Sequence, residues 1–499
     1  MLTKDNDFTG RGNDNEIIAG VLFYLNSSSP VACKSISFSM NGTSKLNDVD
    51  SIKIYSTGAT NHLDPRTTAD ASLLGTATPQ NGEIVCSTNG IFPPGTNYLW
   101  LTYHIKGTAT EGDTVTASFL SLTTANEVYK ITQFQPQGGR VILLSRKLMY
   151  APGDLGSANY RIPAILTAPD GSIILANDKR KDNQGDLPND IDVMITRSIN
   201  GGQTWLAPVT IAQGQGVGKG YGDASLTLAP NGDIICVFVG GPGLAASTPT
   251  NPLRTYICRS SNNGQTWTSP KDITDQLYGS GCSDPIRKLW YASFCASGRG
   301  LLTHSGRIML VAAVRETSSS KLSNFVYYSD DNGYTWNVSD RAMLGGDEAK
   351  VAELNNGNIL MSIRHDGGGA RYYNLSSDNG VTWGAVSSWP ELTEPGCNGS
   401  LIRYTSTKDG YDKNRLLHSI PNDATFRDNV SVFVSYDEGK TWPVKKSICT
   451  GSSAYSSLTI LPDGTIGAYV EENDPISLYF INFSLSWLTN GVDVFTKPK

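Results

Sequence analysis

One eight-residue phrase occurs five times in the C-terminal two-thirds of this 499-residue chain: SINGGQTW from Ser198, SSNNGQTW from Ser260, SDDNGYTW from Ser329, SSDNGVTW from Ser376 and SYDEGKTW from Ser435. A phrase that recurs in this way constrains a fold more than composition does, because each copy must close the same supersecondary unit. Its tryptophans are Trp205, Trp267, Trp336, Trp383 and Trp442, at intervals of 62, 69, 47 and 59 residues. Each interval suits one four-stranded β-sheet with its loops. Asp or Asn oxygens accept backbone N–H bonds, Gly supplies the positive φ of a tight hairpin, and Trp anchors the turn. Chemistry repeated around a fold has no single site, so these Asp and Asn residues are read as structural. The chain is read as all-β, and 51 Gly and 24 Pro, with no long Ala/Glu/Lys/Leu stretch, agree with short strands joined by turns.

The first 140 residues have a different texture. They lack the phrase, yet apolar residues alternate in SISFSM, SIKIYS, NYLWLTYHI and DTVTASFLSL between Gly, Asn and Pro turns. This predicts an N-terminal β-sandwich over residues 1–140 and a second domain over 141–499. The change is placed near QPQGGR, Gln135 to Arg140, with VILLSRKLMY as the entry strand of the second domain. Tyr98, Trp100 and Tyr103 read as strand core rather than a sugar-stacking platform, and the domain as an accessory module for packing or carbohydrate binding. Two domains also suit a chain longer than one core usually organises.

Forty basic against forty-six acidic side chains leave a net charge of −6, which argues against a nucleic-acid or anionic-membrane partner and leaves room for a local anion site. No apolar run reaches a membrane span, and the opening MLTKDNDFTGRGND is polar. The expectation is a soluble chain, the mature form of a periplasmic, secreted or cell-surface protein. Eight dispersed cysteines show neither CxxC nor a Cys/His pair at zinc spacing, so neither a metal nor another cofactor is expected. Cys282 and Cys295 are the nearest pair for a disulfide, and buried free thiols are the alternative.

The five phrases, together with YRIP at Tyr160–Pro163, make residues 145 to the C-terminus resemble the bacterial and animal sialidase superfamily, whose "Asp boxes" decorate a six-bladed β-propeller. The boxes alone do not specify function, since propellers of other activities carry them. The resemblance implies three arginines from separate blades that hold a substrate carboxylate. They match Arg161 in YRIP, Arg364 at the end of DEAKVAELNNGNILMSIR, and Arg427 in PNDATFRDNV, with Arg415 in NRLLHS as the competitor for the third. It also implies Tyr455 in GSSAYSSLTILPDG as nucleophile, Glu348 as its base, and Asp186 in NQGDLPND as acid/base, chosen over Asp182, Asp190 and Asp192. Glu471, sixteen residues past Tyr455 and next to Glu472, matches the carboxylate that steadies the first arginine. Arg180 and Asp223 match positions lining the pocket.

The implied activity is exo-hydrolysis of terminal sialic acid from glycoproteins, glycolipids and oligosaccharides, and the residue types suit it. Sialic acid carries a carboxylate on its anomeric carbon, and guanidinium binds carboxylates in planar, bidentate fashion where lysine does not. A carboxylate nucleophile would meet that charge at close range, whereas a neutral phenol avoids the repulsion and needs a nearby base. Two alternatives share part of the pattern. An inactive sialic-acid lectin would be expected to lose Asp186, Glu348 or Tyr455, and a transferase or anhydro-sugar-releasing enzyme would keep the set and differ in its pocket walls.

Overall fold

In a computed structural model of the chain, which describes residues 7–131, 139–365 and 367–498, the repeated phrase folds the same way five times. Its serine Oγ accepts the N–H of the glycine four residues on at 2.8–2.9 Å. Its Asn or Asp Oδ1 accepts the N–H of the threonine four residues on at 2.9 Å in every copy. These glycines have φ between 78° and 83°, a region that disfavours other residues.

Two units divide the chain, Met1–Lys147 and Leu148–Lys499. Among the described residues, the second unit uses six sheets. Five are each built from one stretch of the chain, except that Gly298–Arg299 pairs in parallel with Tyr221–Leu228 of the preceding sheet, and in each the repeated phrase turns the chain into an outer strand, as from Ile191–Ser198 to Val209–Ala212. The sixth joins Ser453–Ile460, Ile466–Glu472 and Ser477–Phe483 to Ser145–Tyr150, far earlier in the chain. Its fourth strand is not reached through a hairpin, which explains why six sheets carry five phrases.

Neighbouring sheets touch mainly through their leading strands. Asn159–Thr167 contacts both Tyr221–Leu228 and Ser453–Ile460; Tyr221–Leu228 contacts Ala292–Cys295; Gly346–Glu353 contacts both Ile308–Arg315 and Ser400–Thr405; and Ser400–Thr405 contacts Ser453–Ile460. The sequence of contacts returns from the last sheet to the first. Apolar clusters fill the spaces between successive sheets, such as Leu166, Ile174 and Ala176 with Leu226, Ile234 and Phe238. Strands such as Ile308–Arg315 are therefore buried on both faces, and read as continuous apolar runs without alternation.

In the first unit, a sheet of Glu16–Leu25, Gly95–Ile105, Val49–Gly58 and Ser72–Ala77 shares one core with a second sheet built on Val31–Ser39, Glu83–Ser87 and Ser118–Thr124. Leu99, Leu101, Tyr103 and Ile105 point into that core at alternate positions. Trp100 is buried on the opposite face with Tyr55 and Leu63, and its Nε1 donates to Thr57 Oγ1 at 2.9 Å. Tyr98 stacks on it at 6.3 Å.

The VILLSRKLMY run is not one strand. Arg140–Leu143 pairs with Phe8–Gly10 and Thr114–Val115 in the first unit, where Ile142 enters the core, and Ser145–Tyr150 joins the sixth sheet. The division thus falls inside the run; of the predicted boundary segment, Gln135–Gly138 lie outside the described residues. All eight cysteines are free and buried, Cys282 and Cys295 included. Among the described residues, no cluster of ligating side chains could hold a metal ion.

Candidate active site

Four leading strands carry a register shift near their start: between Arg161 and Ala164, Gly222 and Ser225, Gly346 and Ala349, and Ser453 and Ser456. A bulge adds a residue and re-aims the side chains beside it. Arg161, Asp223, Glu348 and Tyr455 lie at these irregularities, and all four line one cavity of about 280 Å³. Arg364, Arg427, Asp186 and Asp347 line it too, with an apolar wall that includes Leu244, Leu253 and Phe294. Ile162 and Asp223 adopt φ of 65° and 60°, unusual for residues with a side chain and most of all for a β-branched one. The Ile162 N–H is held there by Glu471 Oε1 at 2.8 Å.

Glu471 is fully buried and meets four donors. Arg161 donates from Nε and Nη2 to its two oxygens at 3.0 Å each, and the N–H groups of Ile162 and Tyr455 complete the set at 2.8 and 3.2 Å. Burial raises the Glu471 pKa, but Arg161 and the backbone donors outweigh it and hold the carboxyl below its ordinary value. The hairpin register explains the choice over Glu472: Glu472 pairs with Ser453, which leaves Glu471 opposite the bulge that carries Tyr455.

The Tyr455 hydroxyl donates to Glu348 Oε2 at 2.6 Å and accepts from Arg364 Nη1 at 3.0 Å. Arg364 Nη1 also donates to Glu348 Oε2 at 2.5 Å, and its Nε lies 3.4 Å from Asp347 Oδ2. Burial, then the negative charge of Glu348, pushes the Tyr455 hydroxyl well above its usual value. Arg364 and Arg161 pull it down and do not prevail, so the resting group is a neutral phenol that the arginines alone do not ionise. Arg161 and Arg427 flank the ring, with guanidinium carbons 5.2 and 5.5 Å from its centroid.

Arg427 donates to the Gly396 carbonyl at 3.2 Å and faces the cavity. Arg415 is fully buried elsewhere, bound to Asp412 and Asp493 at 2.7–3.0 Å. Of the four loop aspartates, Asp186 is the one on the cavity wall, 74 % exposed and 2.6 Å from Arg180 Nη2. Lys181 lies at 3.0 Å from Asp190 and 2.9 Å from Asp192.

Arg180 itself is buried and lies behind the wall, its Nη2 between Asp178 at 3.0 Å on the same strand and Asp186 at 2.6 Å on the wall. Burial, opposed by Arg180, pushes Asp178 up to about 6. Asp223, whose N–H donates to Asp178 Oδ1 at 3.0 Å, is raised well above the carboxylate range by desolvation and by Asp178, Asp186 and Glu348. The raised Asp223 carboxyl is biased toward its protonated form, which offers an O–H donor, whereas Asp178 beside Arg180 is mostly ionised at pH 7. Sequence reasoning passed over Asp178 and Asp347, although each stands beside a chosen residue, in NDKR and GDEAK.

A family profile described as "BNR repeat-like domain" matches residues 184–468, and one described as "N-terminal domain of BNR-repeat neuraminidase" matches 14–127. Among curated proteins, a sialidase of Micromonospora viridifaciens is 33 % identical over 73 % of this chain and 57 % of its own length. A sialidase of Bacteroides fragilis (strain YCH46) is 28 % identical over 79 % of this chain and 74 % of its own. The chain thus spans a little over half the length of the Micromonospora relative. The solved structure "Hadza microbial sialidase Hz136" is similar in fold, with a TM-score of 0.76 over 97 % of this chain and 99 % of that one at 23 % identity.

Proposed function

The chain belongs to the BNR-repeat sialidase family, and on that premise we propose that it is an exo-sialidase, releasing terminal α-linked sialic acid from glycoconjugates with retention through a covalent tyrosyl intermediate. The observation that carries this reading is the Glu348–Tyr455–Arg364 contact, 2.6 and 3.0 Å about one hydroxyl, in a cavity with two further arginines. Its volume, about 280 Å³, lies near the lower end of the ~300–1,000 Å³ of ligand pockets and suits one terminal sugar.

Arg161, Arg364 and Arg427 take the substrate carboxylate, and Glu471 keeps Arg161 oriented. Tyr455 attacks the anomeric carbon as its proton passes to Glu348, the base at hydrogen-bond distance. Sialidases are the recognised tyrosine-nucleophile exception among glycosidases, and repulsion between two carboxylates at one carbon gives a physical reason. Asp186, on an exposed loop, protonates the leaving oxygen and then activates water. Asp223 lines the wall at the N-acyl and glycerol side, with Arg180 behind it holding Asp186.

The same reading takes the six sheets, with their returning sequence of contacts, as the blades of a six-bladed β-propeller. It takes residues 1–140 as a β-sandwich accessory domain and the protein as exported to the periplasm, medium or cell surface. A fluorinated sialosyl fluoride, which slows breakdown of the intermediate, tests the mechanism: mass spectrometry should find one added sugar on the Tyr455 peptide. Labelling of another residue, or release of the inverted anomer first, rejects it.

A further inference from the structure

Three arginines face the cavity, but they are held differently. Arg161 is fixed by the Glu471 carboxylate, and Arg364 by Glu348 and Asp347. Arg427 donates to a backbone carbonyl, that of Gly396, at 3.2 Å. Its placement therefore depends on what places the Glu394–Asn398 strap between the strands Ser387–Glu394 and Ser400–Thr405.

That strap is gripped from behind by two fully buried charges that do not line the cavity. The Cys397 N–H donates to Glu394 Oε2 at 2.5 Å, and the Cys397 carbonyl accepts from Arg371 Nη1 at 2.7 Å. Arg371 Nη1 lies 3.4 Å from Glu394 Oε1, and Arg371 Nε donates to Ser362 Oγ at 3.0 Å on the strand that carries Arg364. The side chain of Cys397 packs against Ile162, Ala454 and Tyr455. One residue clamped at both its N–H and its C=O thus fixes the Gly396–Cys397 peptide, whose carbonyl lies under Arg427, and sets the Cys397 side chain against the Tyr455 ring.

We propose that Arg371 and Glu394 are positioning residues of the active site, which fix Arg427 and the Tyr455 ring through the Gly396–Cys397 backbone. A buried ion pair is weak evidence for stability alone, because apolar residues of similar volume replace such pairs at little cost. What they do not reproduce is a donor and an acceptor aimed at the backbone of one residue. The inference rests on the reading of Arg427 as a carboxylate-binding residue.

The test is a double-mutant cycle on binding of 2,3-dehydrated sialic acid, measured by titration calorimetry. The paired variant Arg371→Met/Glu394→Met should fold and bind about tenfold more weakly than wild type. Adding Arg427→Ala to it should cost little beyond Arg427→Ala alone, whereas adding Arg161→Lys should multiply the losses. Unchanged affinity in the paired variant, or losses that also multiply with Arg427→Ala, overturns the positioning role. Should the paired variant not fold, Glu394→Gln, close in shape, enters the same cycle with the same two outcomes. No binding by wild type at all rejects the sialidase reading itself, and the inference with it.

Discussion

Glu471→Gln is the smallest change that tests how the cavity is built. The carboxylate meets four N–H donors, two on each oxygen. A glutamine has one oxygen, so whichever way the amide turns, its NH2 faces two donors and the Arg161 charge loses its buried partner. Breaking a buried pair from one side costs about 3–5 kcal/mol. Unfolding entropy near 2.1 cal/mol/K per residue over the roughly 350 residues of Leu148–Lys499 converts this to a fall in Tm of about 4–7 °C. Calorimetry at pH 7 should show it. The wild-type advantage should also vanish with acid, because a carboxyl whose folded pKa is depressed contributes stability above its unfolded pKa and loses it as pH falls through the folded value. Adding Arg161→Met to the glutamine variant should recover much of the Tm while ligand binding stays lost. A glutamine variant as stable as wild type, or a double variant less stable than the single one, would refute the account of Glu471 as the counter-charge that holds Arg161.

Tyr455→Phe and Glu348→Gln should each lower kcat by orders of magnitude in a folded protein, and the double variant should be scarcely worse than either, as steady-state kinetics on a natural sialoside will report. Arg427→Lys should weaken substrate binding because a bidentate contact is lost. Arg415→Lys, in contrast, should lower Tm and leave KM near wild type, since its partners are Asp412 and Asp493. His304 bridges Asp409 at 2.8 Å and Glu353 at 2.9 Å, and those hydrogen bonds raise its pKa. A raised folded pKa gives stability that is present below the unfolded value and lost as pH rises through the folded one. His304→Ala should therefore cost more Tm at pH 5.5 than at pH 9, by at most about 1 kcal/mol for so exposed a bridge.

Much of this site is legible in the chain because its residues are paired across hairpins. The sixteen-residue spacings of Glu348 to Arg364 and Tyr455 to Glu471 are each the path down one strand, round a turn and back up its antiparallel neighbour. Repeat phrases are legible for a similar reason: each is a closed set of local hydrogen bonds. What escapes is whatever local sequence does not encode. The bulges beside Arg161, Asp223, Glu348 and Tyr455 leave no compositional mark, and their positive φ falls on Ile162 and Asp223 where a glycine would have announced it. The burial of Arg180 between Asp178 and Asp186 depends on how its loop folds back, and the break at Leu144 on two separate cores competing for one apolar run. The clamp on Cys397 is built within one sheet, where Arg371 on Gly369–Ser376 reaches past the adjacent strand Ser387–Glu394 to the segment that follows it, a pairing that no local pattern marks.

The strand Ser145–Tyr150 has a consequence for how such a chain is made. Five sheets are each built almost wholly from one stretch of the chain and have the local contacts that fold early, one after another as the chain leaves the ribosome. The sixth waits until Ser477–Phe483 has been synthesised, so Ser145–Tyr150 remains an unpaired edge while the more than 300 residues between them are made. Truncated products that lack the last strand expose that edge and are marked for aggregation or proteolysis. The pocket inherits the same dependence, for Tyr455 and Glu471 belong to the sheet completed last.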